Sequence, residues 1–318
     1  MGWFLPHKPV FSPLLPGGVV LLSPSLADDF RHSLRPGEHE AFYFVFTASD
    51  GATFGLLRTL FGSDSLLEML VLRHEGCTYF HQFRGPFAAP LSPEDASGSA
   101  LRLQCEQPWA SWRCGFQGLV RDTTGKEVSL ALDLRFAATT SPALYRFGPY
   151  TQVQQDGRLC GSVRRDTLET WGEWVAYRDH SWGVRPMGVA QRWTLVCVPD
   201  HLYAVAVETD KGTQGFGRWI TPEGETVSIN IPVVTETDTG WVIVEAPRVG
   251  MEAWRVRRSA PPLVAYLGPA GHESFRDAPV PGDLLQDEMG PVLAIAPDGK
   301  GYPGFMEQAR RIEWPSGC

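Results

Sequence analysis

The sequence of 318 residues lacks the short motifs that mark many catalytic and metal-binding families. Its six cysteines form no Cys-x-x-Cys pair, and neither a His-x-His nor a His-Glu-x-x-His spacing occurs. Because those spacings supply the usual zinc ligands, we expect no metal site and no cofactor. A Gly-x-Ser-x-Gly elbow is also absent, which argues against a serine hydrolase of the common type.

Basic stripes and long apolar runs are missing as well. The formal net charge is −8, and the basic residues cluster only in pairs such as Arg164-Arg165 and Arg257-Arg258, so we expect no nucleic-acid partner. No stretch reaches the ~18 apolar residues of a spanning helix, so we expect no membrane span. Prolines interrupt the segment from Met1 to Ser23, which has no basic start. We therefore expect no secretory signal, and the scattered cysteines favour a cytoplasmic location.

Helical signals are few. Ser25 is placed to cap a short helix that continues to Arg31, and Asp283–Glu288 predicts one or two further helical turns. No repeated strand–helix–strand pattern occurs along the chain. A doubly wound nucleotide-binding fold is therefore excluded.

Alternation of apolar and polar residues with period two dominates the chain. A first series of predicted strands extends from Glu40–Thr47 to Val128–Phe136, and a second from Arg158–Arg164 to Gly304–Ile312. Tight-turn dipeptides such as Asp50-Gly51 separate many of them. Many short strands with tight turns predict an all-β protein made of sandwiches or barrels. Polar, turn-rich residues after Thr139 place the predicted domain boundary between 1–148 and 149–318.

The densest group of reactive side chains is the segment Tyr177-Arg178-Asp179-His180-Ser181-Trp182-Gly183-Val184. Burying ionisable groups is costly unless they are paired or used, so this segment is the first candidate for chemistry. In an extended strand, alternate side chains point to opposite faces. Asp179 and His180 would then reach one cavity only if the strand ends or bulges there. If the strand continues, His180 and Trp182 are the better candidates for a cavity wall, with Asp179 a structural partner of Arg185 or Arg311.

The run Tyr-Arg-Asp-His-Ser-Trp-Gly-Val-Arg resembles the signature of the hydroxyneurosporene synthase group (carotenoid 1,2-hydratases) and of its lipocalin-like relatives of the AttH type. The preceding strand Gly157–Val163 and the C-terminal segment Gly304–Arg311 fit the same group. The resemblance implies two packed lipocalin-like, calycin-type antiparallel β-barrels with few short helices. It also implies an apolar cavity near the motif, which falls in the predicted second domain.

Members of that group hydrate double bonds or cyclise terpenoid or polyketide chains, so the resemblance implies a cofactor-free hydratase, cyclase or isomerase acting on a lipophilic unsaturated molecule. Protonating such a double bond needs a strong, dry acid and aromatic faces that shield the cation. The predicted catalytic residues are Asp179 and His180. The predicted substrate-binding residues are Trp182, Tyr177, Trp171, Trp174 and Tyr203. The predicted supporting residues are Arg178, Arg185, Glu307 and Arg311.

Two other interpretations stay open at this point. The ionisable residues of the motif could form a buried hydrogen-bond network that fixes the two barrels together. The cavity could also hold a lipophilic ligand without chemistry, as lipocalins often do. Near the C-terminus, Glu307 with Arg310 and Arg311 is more typical of an ion pair on the sheet surface than of an active site.

Overall fold

The computed structural model describes residues 20–87, 92–184, 190–230, 232–268, 273–275 and 278–313. These residues form two antiparallel sheets. The strands of the first sheet are β1 (Val20–Leu22), β2 (His39–Thr47), β3 (Phe54–Phe61), β4 (Ser65–His74), β5 (Cys77–Pro86), β6 (Leu101–Gln107), β7 (Ser111–Asp122), β8 (Glu127–Ala138), β9 (Ala143–Phe147), β10 (Tyr150–Arg165) and β11 (Leu168–Gly183). Those of the second are β12 (Ala190–Val198), β13 (Leu202–Thr209), β14 (Gly212–Ile220), β15 (Thr226–Asn230), β16 (Val233–Glu236), β17 (Val242–Ala246), β18 (Met251–Arg258), β19 (Leu263–Leu267), β20 (Glu273–Phe275), β21 (Leu285–Ile295) and β22 (Gly301–Arg311).

The first sheet closes on itself as a barrel. Its strands pair in the ring β10–β11–β2–β3–β4–β5–β7–β8, and β8 returns to β10. The narrowest seam joins β5 to β7, where only Tyr79 pairs with Asp122 and Phe80 with Arg121. Strand β6 extends the barrel wall beside β7, and β9 and β1 continue from β10. The second sheet has the order β15-β14-β13-β12-β22-β21-β18-β17-β16, with β19 and β20 branching from β21.

The prediction of an all-β fold with two curled antiparallel sheets is confirmed. The sheets divide the chain between Gly183 and Ala190, so the predicted boundary after residue 148 falls just before β10, inside the first sheet. The misleading signal was the polar start of β10. Gln155 and Asp156 resemble a linker in sequence but are buried, because Gln155 accepts a hydrogen bond from Arg178 and Asp156 pairs with Arg218.

Helical structure among the described residues is limited to two 3₁₀ turns, Leu26–Asp29 and Pro247–Val249. The first follows Ser25 as predicted, and the Ser25 hydroxyl donates to the Asp28 carboxylate at 2.8 Å. The predicted turn over Asp283–Glu288 is wrong, because the chain becomes extended at Leu285, where β21 pairs with β22. No described helix has both the length and the apolar character needed to cross a bilayer.

Apolar side chains form three main layers. One fills the barrel and includes Phe42, Phe44 and Trp112, and another lies within the curl of the second sheet. Between them, a middle layer joins the outer face of the barrel to the second sheet. Strand β3 is buried along its whole length because it contributes to both the barrel core and the middle layer. Burial on both faces explains its nearly continuous apolar sequence.

A buried ion pair also connects the two sheets. Nη2 of Arg218 on β14 lies 2.6 Å from Oδ1 of Asp156 on β10. The other carboxylate oxygen of Asp156 accepts the backbone N–H of Asp200 at 2.8 Å. This ion pair joins the two sheets and lies outside the segment Tyr177–Val184.

Candidate functional site

The segment Tyr177–Val184 lies at the end of β11, in the wall shared by the barrel and the middle layer. Strand β11 stays paired on both sides through Gly183, with β10 on one edge and β2 on the other. Its side chains therefore alternate without interruption, and the prediction that Asp179 and His180 point to opposite faces is confirmed. We call the barrel side of β11 its inner face and the other side its outer face.

Arg178 anchors the inner face. Its Nη1 lies 2.6 Å from Oδ1 of Asp29, and its Nε donates to Gln155 at 2.9 Å. The guanidinium also lies 5.3 Å from the ring centre of Trp109 and 5.5 Å from that of Trp112. Asp29 follows β1 in sequence, so this pair holds the N-terminal 3₁₀ turn in the mouth of the barrel.

His180 lies two residues further along β11 and therefore on the same face as Arg178. Its Nε2 is 2.9 Å from Oε1 of Glu40, and its Nδ1 donates to the backbone carbonyl of Asp28 at 3.0 Å. The imidazole stacks on Phe42, with ring centres 4.0 Å apart. Because His180 is fully buried in these contacts, the network leaves no side for a substrate.

Glu40 is the centre of this inner-face network. Besides His180, it accepts from the ring and the backbone N–H of His32, at 2.7 and 3.0 Å. Burial acts to raise the pKa of Glu40, but the hydrogen bonds from His180 and His32 outweigh it and lower the pKa to about 2. The carboxylate is therefore ionised over the whole physiological range.

The outer face carries a different set of groups. The Tyr177 hydroxyl donates to Oδ2 of Asp179 at 3.1 Å, and the Gln152 amide donates to the same oxygen. The Tyr177 ring stacks on Tyr203 of β13, with ring centres 5.4 Å apart. Asp179 therefore lies in the middle layer, where the second sheet covers the barrel.

Two carboxyl groups of the second sheet face the same layer. Asp287 on β21 is fully buried and interacts with Glu307 on β22. Burial, and then the charge of Glu307, raises the pKa of Asp287 well above its usual value. Burial likewise raises the pKa of Glu307, and the charge of Asp179 adds to this effect. We call Tyr43, Asp179, Asp287 and Glu307 the acid cluster.

Tyr43 faces these carboxyl groups from the first sheet. Burial raises the pKa of its hydroxyl, and the charges of Glu307, Asp287 and Asp179 add to this effect against that of Arg58. The Arg58 guanidinium lies 5.9 Å from the centre of the Tyr43 ring. The Tyr43 hydroxyl is buried and has no hydrogen-bond partner among the described residues. A buried hydroxyl without a partner is costly, so this position suits a polar group of a bound molecule.

The other predicted site residues fall in several places. Trp182 is half-buried on the inner face and stacks on His32 at 4.1 Å, and Trp174 packs inside the barrel against Phe46. Trp171 lies on the surface with 77% of its area exposed, a position that does not suit a cavity wall. It lies on the part of the outer face that the second sheet does not cover.

The predicted supporting residues are also separated. Glu307 is half-buried and accepts from the Trp193 indole at 2.8 Å, whereas Arg310 pairs with Glu236 at 3.1 Å. The expected surface ion pair of Glu307 with Arg310 is therefore not formed, because Arg310 pairs with Glu236 instead. Arg311 donates to the backbone carbonyl of Ala190 at 3.0 Å. Arg185 lies outside the described residues.

Sequence reasoning missed Tyr43, Arg58, Asp287 and Glu40. Arg58 had a usable signal, because it is a charged residue inside the apolar strand β3. Asp287 was hidden by the helical interpretation of its segment. Tyr43 looked like one more ring of the aromatic core, and Glu40 like the polar start of β2.

The architecture is a lipocalin-like fold built from two curled antiparallel sheets. The chain is similar to an AttH-like protein (NE1406) from Nitrosomonas europaea, with 11% identity, a TM-score of 0.66 and coverage of 95% of this chain and 100% of that one. It is also similar to kievitone hydratase from Nectria haematococca, with 11% identity, a TM-score of 0.53 and coverage of 90% and 94%. A third similar structure is CghA with Sch210972, with 10% identity, a TM-score of 0.51 and coverage of 95% and 99%.

At sequence identities of 10–11%, these structural similarities establish the fold alone. The chain belongs to the family of the domain of unknown function DUF7064, whose model matches residues 25–252. The matched region includes the whole barrel from the first 3₁₀ turn onward and the second sheet as far as the start of β18. No curated protein sequence matches the chain.

Proposed function

We propose that this protein is an acid-catalysed hydratase, cyclase or isomerase that acts on a lipophilic unsaturated small molecule, of terpenoid or polyketide-like type, in the middle layer. The observation that carries the proposal is the pair Asp287, which is fully buried, and Glu307, which is half-buried, because burial raises the pKa of both carboxyl groups. A carboxyl group that stays protonated in apolar surroundings is the acid that an isolated double bond requires.

The surroundings of the pair suit the rest of such a reaction. A proton passes from a carboxyl group to an alkene carbon, and the positive charge then develops on the adjacent carbon. Tyr43, Tyr177, Tyr203 and Trp193 supply aromatic faces beside the acid cluster, and each desolvated face stabilises a cation by about 1–2 kcal/mol. Water then adds and returns a proton to the carboxylate, or the chain closes or loses a proton.

In this proposal the roles within the segment Tyr177–Val184 change. Asp179 holds the Tyr177 hydroxyl and adds negative charge beside Glu307, which supports the protonated state of that acid. His180 lies on the other side of the β11 backbone, hydrogen-bonded to Glu40 and Asp28. Glu307 and Asp287 therefore take the place of His180 as proton donors. Hydration also agrees with the name of one structural relative, kievitone hydratase.

The test is product formation from a panel of prenylated phenols and linear polyenes in isotopically labelled water, followed by mass spectrometry. Glu307→Gln and Asp287→Asn should each lower turnover by about 10²–10⁴ while ligand binding is retained. Wild-type turnover should fall as the pH rises, because the acid loses its proton. Glu288→Gln is the matched control, since Glu288 neighbours Asp287 but is partly exposed near Arg258.

Two results would overturn the proposal. Unchanged turnover in both acid variants would remove the carboxyl pair from the chemistry. Tight binding of panel members without any product from the wild-type protein would instead favour a lipocalin-type binding protein.

A further inference from the structure

The imidazoles of His32 and His180 and the carboxylate of Glu40 lie together at the inner face of β11. No sequence motif predicts this cluster. Nδ1 of His32 and Nε2 of His180 lie 2.7 and 2.9 Å from the same oxygen of Glu40. The three ligand atoms lie within 4.8 Å of one another. His32 is eight residues before Glu40, whereas His180 is 140 residues after it, so only the closure of the barrel brings the three together.

The contacts of His180 define which ring nitrogen faces Glu40. Its Nδ1 faces the carbonyl oxygen of Asp28 at 3.0 Å, and a carbonyl only accepts, so the proton of a neutral ring resides on Nδ1. Nε2 is then the ring atom that faces the Glu40 carboxylate, at 2.9 Å. This is the geometry of two ligand atoms that can share one metal ion.

The surroundings of His180 hold its ring in one orientation. The ring is fully buried and stacks on Phe42, and its centre lies 4.9 Å from that of the Trp182 ring. A backbone carbonyl at Nδ1 is the usual support for a histidine that binds metal through Nε2. His180 is therefore oriented as a metal ligand, with Nε2 directed at Glu40.

We propose that His32, Glu40 and His180 form a binding site for a divalent metal ion of the zinc class, which fastens the N-terminal segment to the barrel. Two imidazole nitrogens and one carboxylate oxygen are a ligand set that zinc accepts, with water in the fourth position. The side chain of His32 is 25% exposed and provides the side from which water and metal enter. The site lies across the β11 backbone from the acid cluster and does not depend on the proposed reaction.

Binding the ion requires the ligand atoms to move. Ligand atoms around tetrahedral zinc are separated by roughly 3.3 Å, given zinc–ligand distances of about 2.0–2.1 Å. The separations of 2.7 and 2.9 Å from Oε1 of Glu40 must therefore widen by a few tenths of an ångström, and the two imidazole nitrogens already lie within 4.8 Å of each other. Arg31 Nε lies 3.7 Å from Oε2 of Glu40, while its guanidinium rests 3.9 Å from the ring centre of Phe61. Arg31 thus interacts with the second oxygen, whereas Oε1 faces both imidazoles and the backbone N–H of His32.

Titration of chelator-treated full-length protein with zinc chloride tests the proposal, using calorimetry and thermal unfolding. The wild-type protein should bind one equivalent of zinc and unfold at a higher temperature when loaded. Cobalt chloride should produce the visible absorption of a low-symmetry site. His32→Phe keeps a ring that can stack on Trp182 but removes a ligand, and should weaken zinc binding by at least about 100-fold. Glu40→Gln should have at least the same effect.

The control is His81→Phe, because His81 and Glu68 form a similar contact of 2.8 Å that contains only one imidazole. This variant should bind zinc as the wild-type protein does. If the wild-type protein binds no zinc, or if His32→Phe binds it with wild-type affinity, the site does not exist. Should Glu40→Gln fail to fold, His32→Phe still decides the question because His32 is at the edge of the network.

Discussion

On the inner face of β11, Arg178 and Glu40 are each surrounded by partners of complementary charge or hydrogen-bonding character. On the outer face, on the other side of the same backbone, the charge of Asp179 acts on Glu307, and that of Glu307 acts on Asp287, with Arg58 as the opposing charge. The two faces of β11 therefore border two sets of ionisable residues that have different electrostatic environments.

The pKa shifts on the two faces have opposite directions. Burial opposes ionisation on both faces, but on the inner face hydrogen bonds overcome it and lower the pKa of Glu40 to about 2. On the outer face burial outweighs the charge of Arg58, so the pKa values of Asp287 and Glu307 rise. Paired ions hold a structure in place, whereas acids kept neutral at physiological pH are typical of catalytic sites.

The largest expected effect comes from breaking the inner face. Arg178→Met leaves the buried carboxylate of Asp29 without its 2.6 Å ion pair, and should reduce the free energy of unfolding by about 3–5 kcal/mol. Asp179→Asn should cost at most about 1.5 kcal/mol, because an amide oxygen can still accept from Tyr177. Urea denaturation of both variants at pH 7 measures the contrast between neighbouring residues.

A double variant shows whether the loss comes from the unpaired charge. Asp29→Asn combined with Arg178→Met removes both ions and should lose less stability than the sum of the two single variants. Equal and small losses for Arg178→Met and Asp179→Asn would mean that the inner-face pair does not hold the N-terminal turn in the barrel.

The all-β architecture and the two faces of β11 followed from the sequence because both depend on local pattern. Alternation with period two identifies strands, and it assigns Asp179 and His180 to opposite sides wherever the strand continues. The position of Ser25 before a short helical turn was equally local.

The sequence did not predict which residues come together at the site, because this depends on contacts between residues that are distant in sequence. His180 meets Glu40 only because β11 pairs with β2, and Asp179 meets Glu307 only because the second sheet packs on the barrel. The division between the two sheets did not follow from the sequence for a related reason, since Asp156 looks like linker sequence until its partner Arg218 is known.

The second largest expected effect is the loss of stability when a tryptophan is removed from the covered inner face of β11 rather than from its exposed outer face. Trp174 lies on the inner face with 6% of its area exposed, and Trp171 lies on the outer face with 77% exposed. Trp174→Ala should cost about 3 kcal/mol through the cavity it leaves beside Phe46. Trp171→Ala should change the free energy of unfolding by no more than about 0.5 kcal/mol, and should leave ligand binding unchanged. A loss of ligand binding in Trp171→Ala would place the cavity further along the outer face.

The smallest expected effect is a gain in stability rather than a loss, and it depends on pH. The pKa of Asp287 is raised in the folded protein, so below about pH 4 the group is protonated in both the folded and the unfolded state. As the pH rises above that value, the unfolded state releases its proton first, and the wild-type protein loses stability. Asp287→Asn cannot lose a proton at this position. Its stability relative to the wild-type protein should therefore increase between pH 4 and pH 8, as measured by urea denaturation at both values.

Asp298→Asn provides the matched control, because the pKa of Asp298 is lowered by its hydrogen bond from Lys300. A carboxylate with a lowered pKa stabilises the folded state above the pKa of the unfolded chain, so this variant should be less stable than the wild-type protein at pH 8. Opposite pH trends in the two variants would show that Asp287 is a neutral acid in the folded protein. If Asp287→Asn instead loses stability as the pH rises, Asp287 is ionised in the middle layer. The outer face of β11 would then be a second paired network and not a source of protons.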